Sequence, residues 1–183
     1  PTPSSLMPKL KSMGFGAVRV PITWNYHFDQ EGSIDADWMA RVKEIVDWAM
    51  EADLYCIINI HHDTGADGWL RASAANYDRN NLLYAKLWEQ IATEFKDYPQ
   101  QLVFEGFNEM LDENSEWSNP GAEAVLTVNR YNQLFVDTVR GTGGNNEERN
   151  LVCCTYAAAM TDAALGEFVL PKDSAEGHLI AEV

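Results

Sequence analysis

The chain has 183 residues, 46% of them hydrophobic and 11% aromatic, enough for a domain with a real core and too many for a disordered chain. It carries 28 acidic against 13 basic residues, a formal net charge of -15 at pH 7. That balance argues against a nucleic-acid partner, which needs a positive footprint, and suits a neutral ligand such as a sugar, although acidity by itself is mostly a solubility feature.

The chain opens with a helical pattern, SSLMPKLKSMGF, in which Leu6, Met7, Leu10 and Met13 recur at helical spacing and Gly14 is a natural stop. The run AVRVPI (17–22) follows and reads as a strand. DADWMARVKEIVDWAMEA is helical through Trp38, Val42, Ile45, Val46 and Ala49, with Asp35 as its cap. LYCIINI (54–60) is a second strand, NNLLYAKLWEQIATEFKDY a helix, and LVFEGF (102–107) a third strand. VLTVNRYNQLFVDTVRGTGG is a helix broken by Gly141, Gly143 and Gly144. LVCCTY (151–156), the short helical segment TDAALGEFVL and HLIAEV (178–183) complete the series. The strand runs are nearly continuous in apolar residues, the pattern of parallel strands buried on both faces.

Strands alternating with helical crossovers predict an α/β parallel sheet. A nucleotide-binding open sheet would carry a glycine-rich turn after an early strand, whereas PITWNYHFD has no such turn. Polar residues gather instead at the C-terminal ends of several strands, where a (β/α)8 barrel builds its active site. Five strands are visible against the eight of a closed barrel.

Cys56, Cys153 and Cys154 lie in apolar runs, and adjacent residues of a strand face opposite ways, so the three are expected as buried free thiols. No secretory signal or membrane-spanning run is visible. Because the chain starts at Pro1 rather than Met, its start is expected to be a cut or processing point.

The first strand carries Arg19 and runs into Pro21, Thr23 and Trp24; the second ends in His61, His62 and Asp63; the third ends in Asn108 and Glu109. On parallel neighbours these residues share one rim. Each has an ordinary alternative. Glu109 could be a carboxylate at a helix start, favoured by the dipole. Arg19, inside an apolar strand, needs an anionic partner, which Glu105 or a rim carboxylate could supply. Adjacent His61 and His62 diverge and have no further Cys or His at ligand spacing, so neither metal nor cofactor is expected. Trp24 and Trp69 could pack in the core or offer faces to a ligand. The constellation is more specific than any member.

GFGAVRVPITW, IINIHHD and FEGFNEM resemble three consecutive motifs of the family 5 glycoside hydrolases, in particular the bacterial endo-β-1,4-glucanases or cellulases. The resemblance extends through HHDTGADGWL and FKDYPQQLVFEGFNEM to the terminal HLIAEV, covering essentially the whole chain. It implies strands 2–6 of a (β/α)8 TIM barrel, residues 1–183 forming the central part of one catalytic barrel. It implies Glu109 as general acid/base, Asn108 as the donor to the substrate 2-hydroxyl, and Arg19 as the support beneath the nucleophile. His61 then matches the first histidine of the family's third strand, and His62, Trp24 and Trp69 are expected at the sugar. The substrate implied is β-glucan, with mannan, xyloglucan, lichenan or xylan as alternatives, and the implied location is outside the cell.

Retaining hydrolysis needs two carboxyls about 5–5.5 Å apart, and the family's nucleophilic glutamate lies on its seventh strand. Neither Glu105 nor Glu182 matches that position. The expectation is therefore that the nucleophile lies outside these residues, that this chain alone is inactive, and that a companion polypeptide or a second copy covers its open edges. The alternative is a non-catalytic barrel fragment that at most binds β-glycan.

Overall fold

The computed structural model describes residues 2–65 and 67–183. Helix α1 (Leu6–Ser12) leads into β1 (Ala17–Val20), α2 (Ala36–Glu51), β2 (Tyr55–Asn59), α3 (Ala74–Glu94) and β3 (Leu102–Glu105). Helix α4 (Ala122–Gly141), β4 (Leu151–Cys154), the single turn α5 (Asp162–Leu165) and β5 (Leu179–Glu182) follow. The strands form one parallel sheet in the order β1-β2-β3-β4-β5. Spatial order copies chain order, so the sheet has no point at which the winding reverses. Right-handed crossovers then stack the helices on one face, as in a barrel wall. No helix among the described residues is long and apolar enough to cross a membrane.

Strand alternation separates two faces. Cys56, Ile58, Leu102, Phe104, Leu151 and Cys153 are fully buried on the helix side. They meet Leu87, Trp88 and Ile91 of α3 and Val128, Phe135 and Val139 of α4 in one core. Trp88 sits with its ring centroid 5.5 Å from Phe104 and 4.5 Å from Phe135. Its Nε1 and the Tyr84 hydroxyl both donate to the carbonyl of Gly106, at 3.1 and 3.0 Å. A side chain at Gly106 would place its Cβ 3.1 Å from the Phe135 ring and 3.3 Å from the Tyr84 hydroxyl, which is why a glycine interrupts this strand's apolar run.

The strands are shorter than the apolar runs. Pro21 has no amide hydrogen and ends β1 early. Backbone bonding nevertheless continues past the strand ends: His61 N donates to Ile22 O at 2.8 Å, and Asn108 N to Ile60 O at 2.9 Å. Asp35 caps α2 as expected, accepting from the amides of Asp37 and Trp38. Helix α3 begins at Ala74, several residues before its apolar pattern, because the Ser73 hydroxyl accepts from the Asn76 amide. At the far end of α4, Gly143 and Gly144 take φ of 70° and 62° and turn the chain toward β4.

The other face is concave and open. Ala17, Tyr55, Ile57, Val103, Val152 and Ile180 line a hollow of about 560 Å³, with Tyr55 53% and Ile180 46% exposed. Glu105 and Glu182 line it too, and with the buried Cys154 they offer side-chain atoms within 4.8 Å of one another. The Cys154 thiol lies 2.9 Å from the Phe107 carbonyl and 3.1 Å from Glu182 Oε2. Burial, with the negative charges of Glu182 and Glu105 beside it, holds this thiol protonated. All three cysteines are free and buried, Cys153 facing the helices and Cys154 the hollow.

Arg149, ahead of β4, is fully buried. Its five N–H groups meet five acceptors: Asn146 Oδ1 at 2.6 Å and the carbonyls of Pro99, Leu102, Phe95 and Tyr98 at 2.8–3.1 Å. The cation closes the C-terminal end of α3 and rests over the Phe104 ring. Burial pulls its pKa down to about 10, so it remains charged at neutral pH.

Two outcomes follow from these placements. Arg149→Met removes five hydrogen bonds made by a buried cation and should cost about 1.5–3 kcal/mol, read as a lower midpoint in urea unfolding. Glu182 has its pKa raised, first by burial and then by the charge of Glu105. The folded state therefore holds this proton more tightly than the unfolded chain does. The penalty is absent below the ordinary carboxylate range and complete once pH exceeds the raised value. Glu182→Gln should accordingly raise the urea midpoint at neutral pH, with the gain vanishing in acid.

Candidate active site

The rim beyond the C-terminal ends of β1, β2 and β3 is organised around one carboxylate. Glu105, the last residue of β3, points into the concave face with only 2% of its side chain exposed. A carboxylate so placed needs compensation. Arg19 supplies it from β1, reaching across β2 with Nε 2.6 Å from Oε2 and Nη2 bonded to Oε1. This is the planar fork that matches a carboxylate with two parallel bonds. Asn59, directly opposite Glu105 in the β2–β3 register, adds a third bond from Nδ2 to Oε1 at 2.7 Å. The bond to Glu105 raises the Arg19 pKa against the opposing effect of burial, so the cation is permanent.

Arg19 also faces outward. Its Nη2 donates to Asn108 Oδ1 at 2.9 Å, and Asn108 Nδ2 lies 3.3 Å from Glu109 Oε2. A continuous line of polar contacts thus runs from buried Glu105 through Arg19 and Asn108 to Glu109, which is exposed at the rim. Because Arg19 occupies the amide oxygen, the Asn108 NH2 group is turned toward the cleft. No helix starts at Glu109, since α4 begins at Ala122; the reading of this residue as a helix-start carboxylate does not hold.

His61 and His62 stand edge to face, their ring centroids 4.7 Å apart. Both open onto a cleft of about 250 Å³ shared with Arg71, Asn108, Glu109 and Trp117. Burial, with the positive charge of Arg19 nearby, lowers the His61 pKa. The ring is therefore neutral at neutral pH.

The tryptophans divide differently from expectation. Trp24 is completely buried, with Nε1 donating to Asn59 O at 3.0 Å and its amide to Asp63 Oδ2 at 2.9 Å. It offers no face to a ligand, which corrects its expected place at the sugar; it is a core residue that locks the loop after β1. Trp69 is half-buried, with Nε1 bonded to Asp63 Oδ1 at 2.8 Å and its ring edge-on to Phe28. Asp63 thus ties both tryptophan-bearing loops together, and burial pushes its own pKa up. Trp117, which the motifs did not single out, is 53% exposed and lines the cleft beside Glu109. A large aromatic residue in the polar loop ENSEWSNP was its available signal.

Comparison with known proteins agrees with this geometry. Residues 2–183 match the family described as Cellulase (glycosyl hydrolase family 5). Endoglucanase B of Neocallimastix patriciarum is 41% identical over 175 residues, covering 93% of this chain and 36% of that protein. Cellulase/esterase CelE of Acetivibrio thermocellus is 40% identical over 176 residues, 94% of this chain and 21% of that protein. The chain thus spans well under half the length of these two relatives. Among solved structures, the family 5 enzyme PbGH5A of Prevotella bryantii superposes with a TM-score of 0.96 at 49% identity, covering 98% of this chain and 53% of the other. A broad-specificity endoglucanase of Ruminococcus champanellensis with bound cellotriose gives 0.92 at 42% identity, over 98% and 52%. With a match over nearly every residue and a singly wound sheet of the same shape, the chain belongs to glycosyl hydrolase family 5, its five strands forming part of that family's (β/α)8 barrel.

Proposed function

We propose that this chain supplies the acid/base half of a retaining endo-β-1,4-glucanase, which cleaves internal bonds of cellulose or related β-glucans. The observation that carries the reading is the line Glu105–Arg19–Asn108–Glu109, which ends in an exposed carboxylate at a cleft. In this reading Glu109 protonates the glycosidic oxygen of the leaving sugar and then, as a base, activates water. Asn108, its oxygen occupied by Arg19, presents N–H to the 2-hydroxyl of the reacting sugar, a bond that strengthens as the ring flattens toward the oxocarbenium-like state. His61 and His62 contact the same sugar, and the Trp117 ring offers a flat face for stacking. Arg19 sits beneath the position of the nucleophile and favours its ionised form.

The nucleophilic glutamate lies outside these residues. Glu105 has both oxygens engaged by Arg19 and Asn59, which leaves it unsuited to attack. The open concave face supports the same division of labour: its apolar side chains need further strands against them, from the remainder of a longer polypeptide, a companion polypeptide or a second copy. The relatives support a β-glucan, since solved neighbours are described with cellotriose and with a xyloglucan tetradecasaccharide. Lichenan, mannan and xylan remain alternatives within the same chemistry. A polymeric substrate favours a location outside the cell.

Glu109→Ala in the complete enzyme should reduce turnover of substrates with poor leaving groups by about 10²–10⁴-fold. Activated aryl glycosides should lose less, and azide should rescue their second step. Equal loss on both substrate types without rescue would assign Glu109 a structural role. Light scattering and a carboxymethylcellulose assay on this chain alone test the remainder. A stable 20.6 kDa monomer that hydrolyses the polymer would overturn the view that the nucleophile and further strands lie elsewhere.

A further inference from the structure

Asn59 is 1% exposed and takes no part in the chemistry described so far, yet both ends of its amide are fully engaged. Oδ1 accepts from the Ile22 amide at 3.2 Å. Nδ2 donates to Glu105 Oε1 at 2.7 Å and lies 3.1 Å from His61 Nδ1. These contacts fix which way the amide points. Rotated by half a turn, its oxygen would face the Glu105 carboxylate and its NH2 would face a backbone N–H, two repulsive contacts in a buried place. The orientation left is the one with NH2 toward Glu105 and His61.

An amide nitrogen has hydrogens to give and no lone pair to accept with. One of its hydrogens goes to Glu105; the other points at His61 Nδ1, which must therefore be the unprotonated nitrogen. We propose that Asn59 is a positioning residue that sets the tautomer of His61, keeping its proton on Nε2 and presenting Nε2–H to the cleft as a fixed donor for a sugar hydroxyl oxygen. The surroundings agree. The ionisable groups around His61 are Arg19 from β1, His62 beside it, Glu105 from β3 and Glu109 at the rim. Burial, and then the charge of Arg19, lowers the His61 pKa, so the ring stays neutral and the donor does not become a second cation beside Arg19. The same Glu105 that receives Arg19 also orients the Asn59 amide, so one buried carboxylate governs the donor at Asn108 and the donor at His61.

The role at the sugar rests on the glucanase reading; the tautomer does not, and it is measured without substrate. The protein, in the assembly that closes its sheet, is labelled with ¹⁵N-histidine, and long-range ¹H–¹⁵N correlation spectra are recorded from acid to alkaline pH. These residues hold four histidines, and His61→Gln identifies the signal of interest. The expected result is Nε2 protonated and Nδ1 bare throughout the neutral range. Asn59→Asp replaces the donor with an acceptor; it should move the proton to Nδ1 and raise the His61 titration by about 1 unit or more. Asn59→Ser, which loses the fixed NH2, should give a mixture of tautomers. A wild-type His61 protonated at Nδ1 would overturn the proposal, whatever the variants do. So would a folded Asn59→Asp whose tautomer and titration match the wild type. Inactivity toward β-glucan with the Nε2–H tautomer present would sink the glucanase reading and leave Asn59's role standing.

Discussion

The bidentate pair between Arg19 and Glu105 is the interaction on which the rest of the rim depends. Removing one partner of a buried ion pair costs about 3–5 kcal/mol, because the other is left charged and dry. Here the asymmetry is pronounced: Glu105 is almost wholly enclosed, whereas Arg19 keeps about a third of its side chain in contact with solvent. The carboxylate is therefore the group with no alternative, and the arginine is held where the carboxylate needs it. That constraint joins three adjacent strands through side chains, independently of their backbone bonds. Everything polar at the rim takes its direction from it, Asn108 by accepting from Arg19 and Asn59 by donating to Glu105.

Much of this was legible in the residues. Parallel strands buried on both faces leave a plain trace as continuous apolar runs, and all five runs became strands. Arg19 announced an anionic partner because nothing else explains a guanidinium in the middle of AVRV, and Glu105 in LVFE was the reciprocal signal. What the pattern could not carry was any property decided by contacts between distant segments. Trp24 lies next to the rim in the chain but is drawn wholly inside by Asn59 and Asp63, whereas Trp117, far along a polar loop, comes back to the cleft. Asn59 reads as one more residue of a buried strand until its register partner is known to be a carboxylate. Arg149 gave no sign of its burial, because four of its five acceptors are backbone carbonyls and those leave no trace in side-chain identity. The early start of α3 was missed because a serine hydroxyl begins it, ahead of the apolar periodicity.

The two faces of the sheet are built to different specifications. The helix-facing side is a close-packed hydrocarbon and aromatic layer in which even the polar tips of Tyr84 and Trp88 are spent on a single carbonyl, that of Gly106. The concave side mixes apolar walls near the sheet's N-terminal edge with ionisable groups toward its C-terminal edge, where Glu105, Cys154 and Glu182 crowd together. The first face confers stability and tolerates little change of volume; the second keeps charges close enough to tune one another. Their separation follows from strand alternation alone, since neighbouring residues such as Cys153 and Cys154 are sent to opposite environments.

The sheet's order has a consequence for how the chain is made. Each strand lies beside the one synthesised just before it, from β1 to β5. A ribosome releasing residues at about 5–20 per second therefore delivers every new strand to an edge that already exists, with its crossover helix arriving in between. No early segment has to wait for a late one to find its neighbour within this sheet, as it must where strand order reverses. Assembly can proceed as vectorial growth from the N-terminal side, and the Arg19–Glu105 clasp can close as soon as the third strand emerges. The charge pair that orders the rim thus depends on nothing synthesised after the third strand.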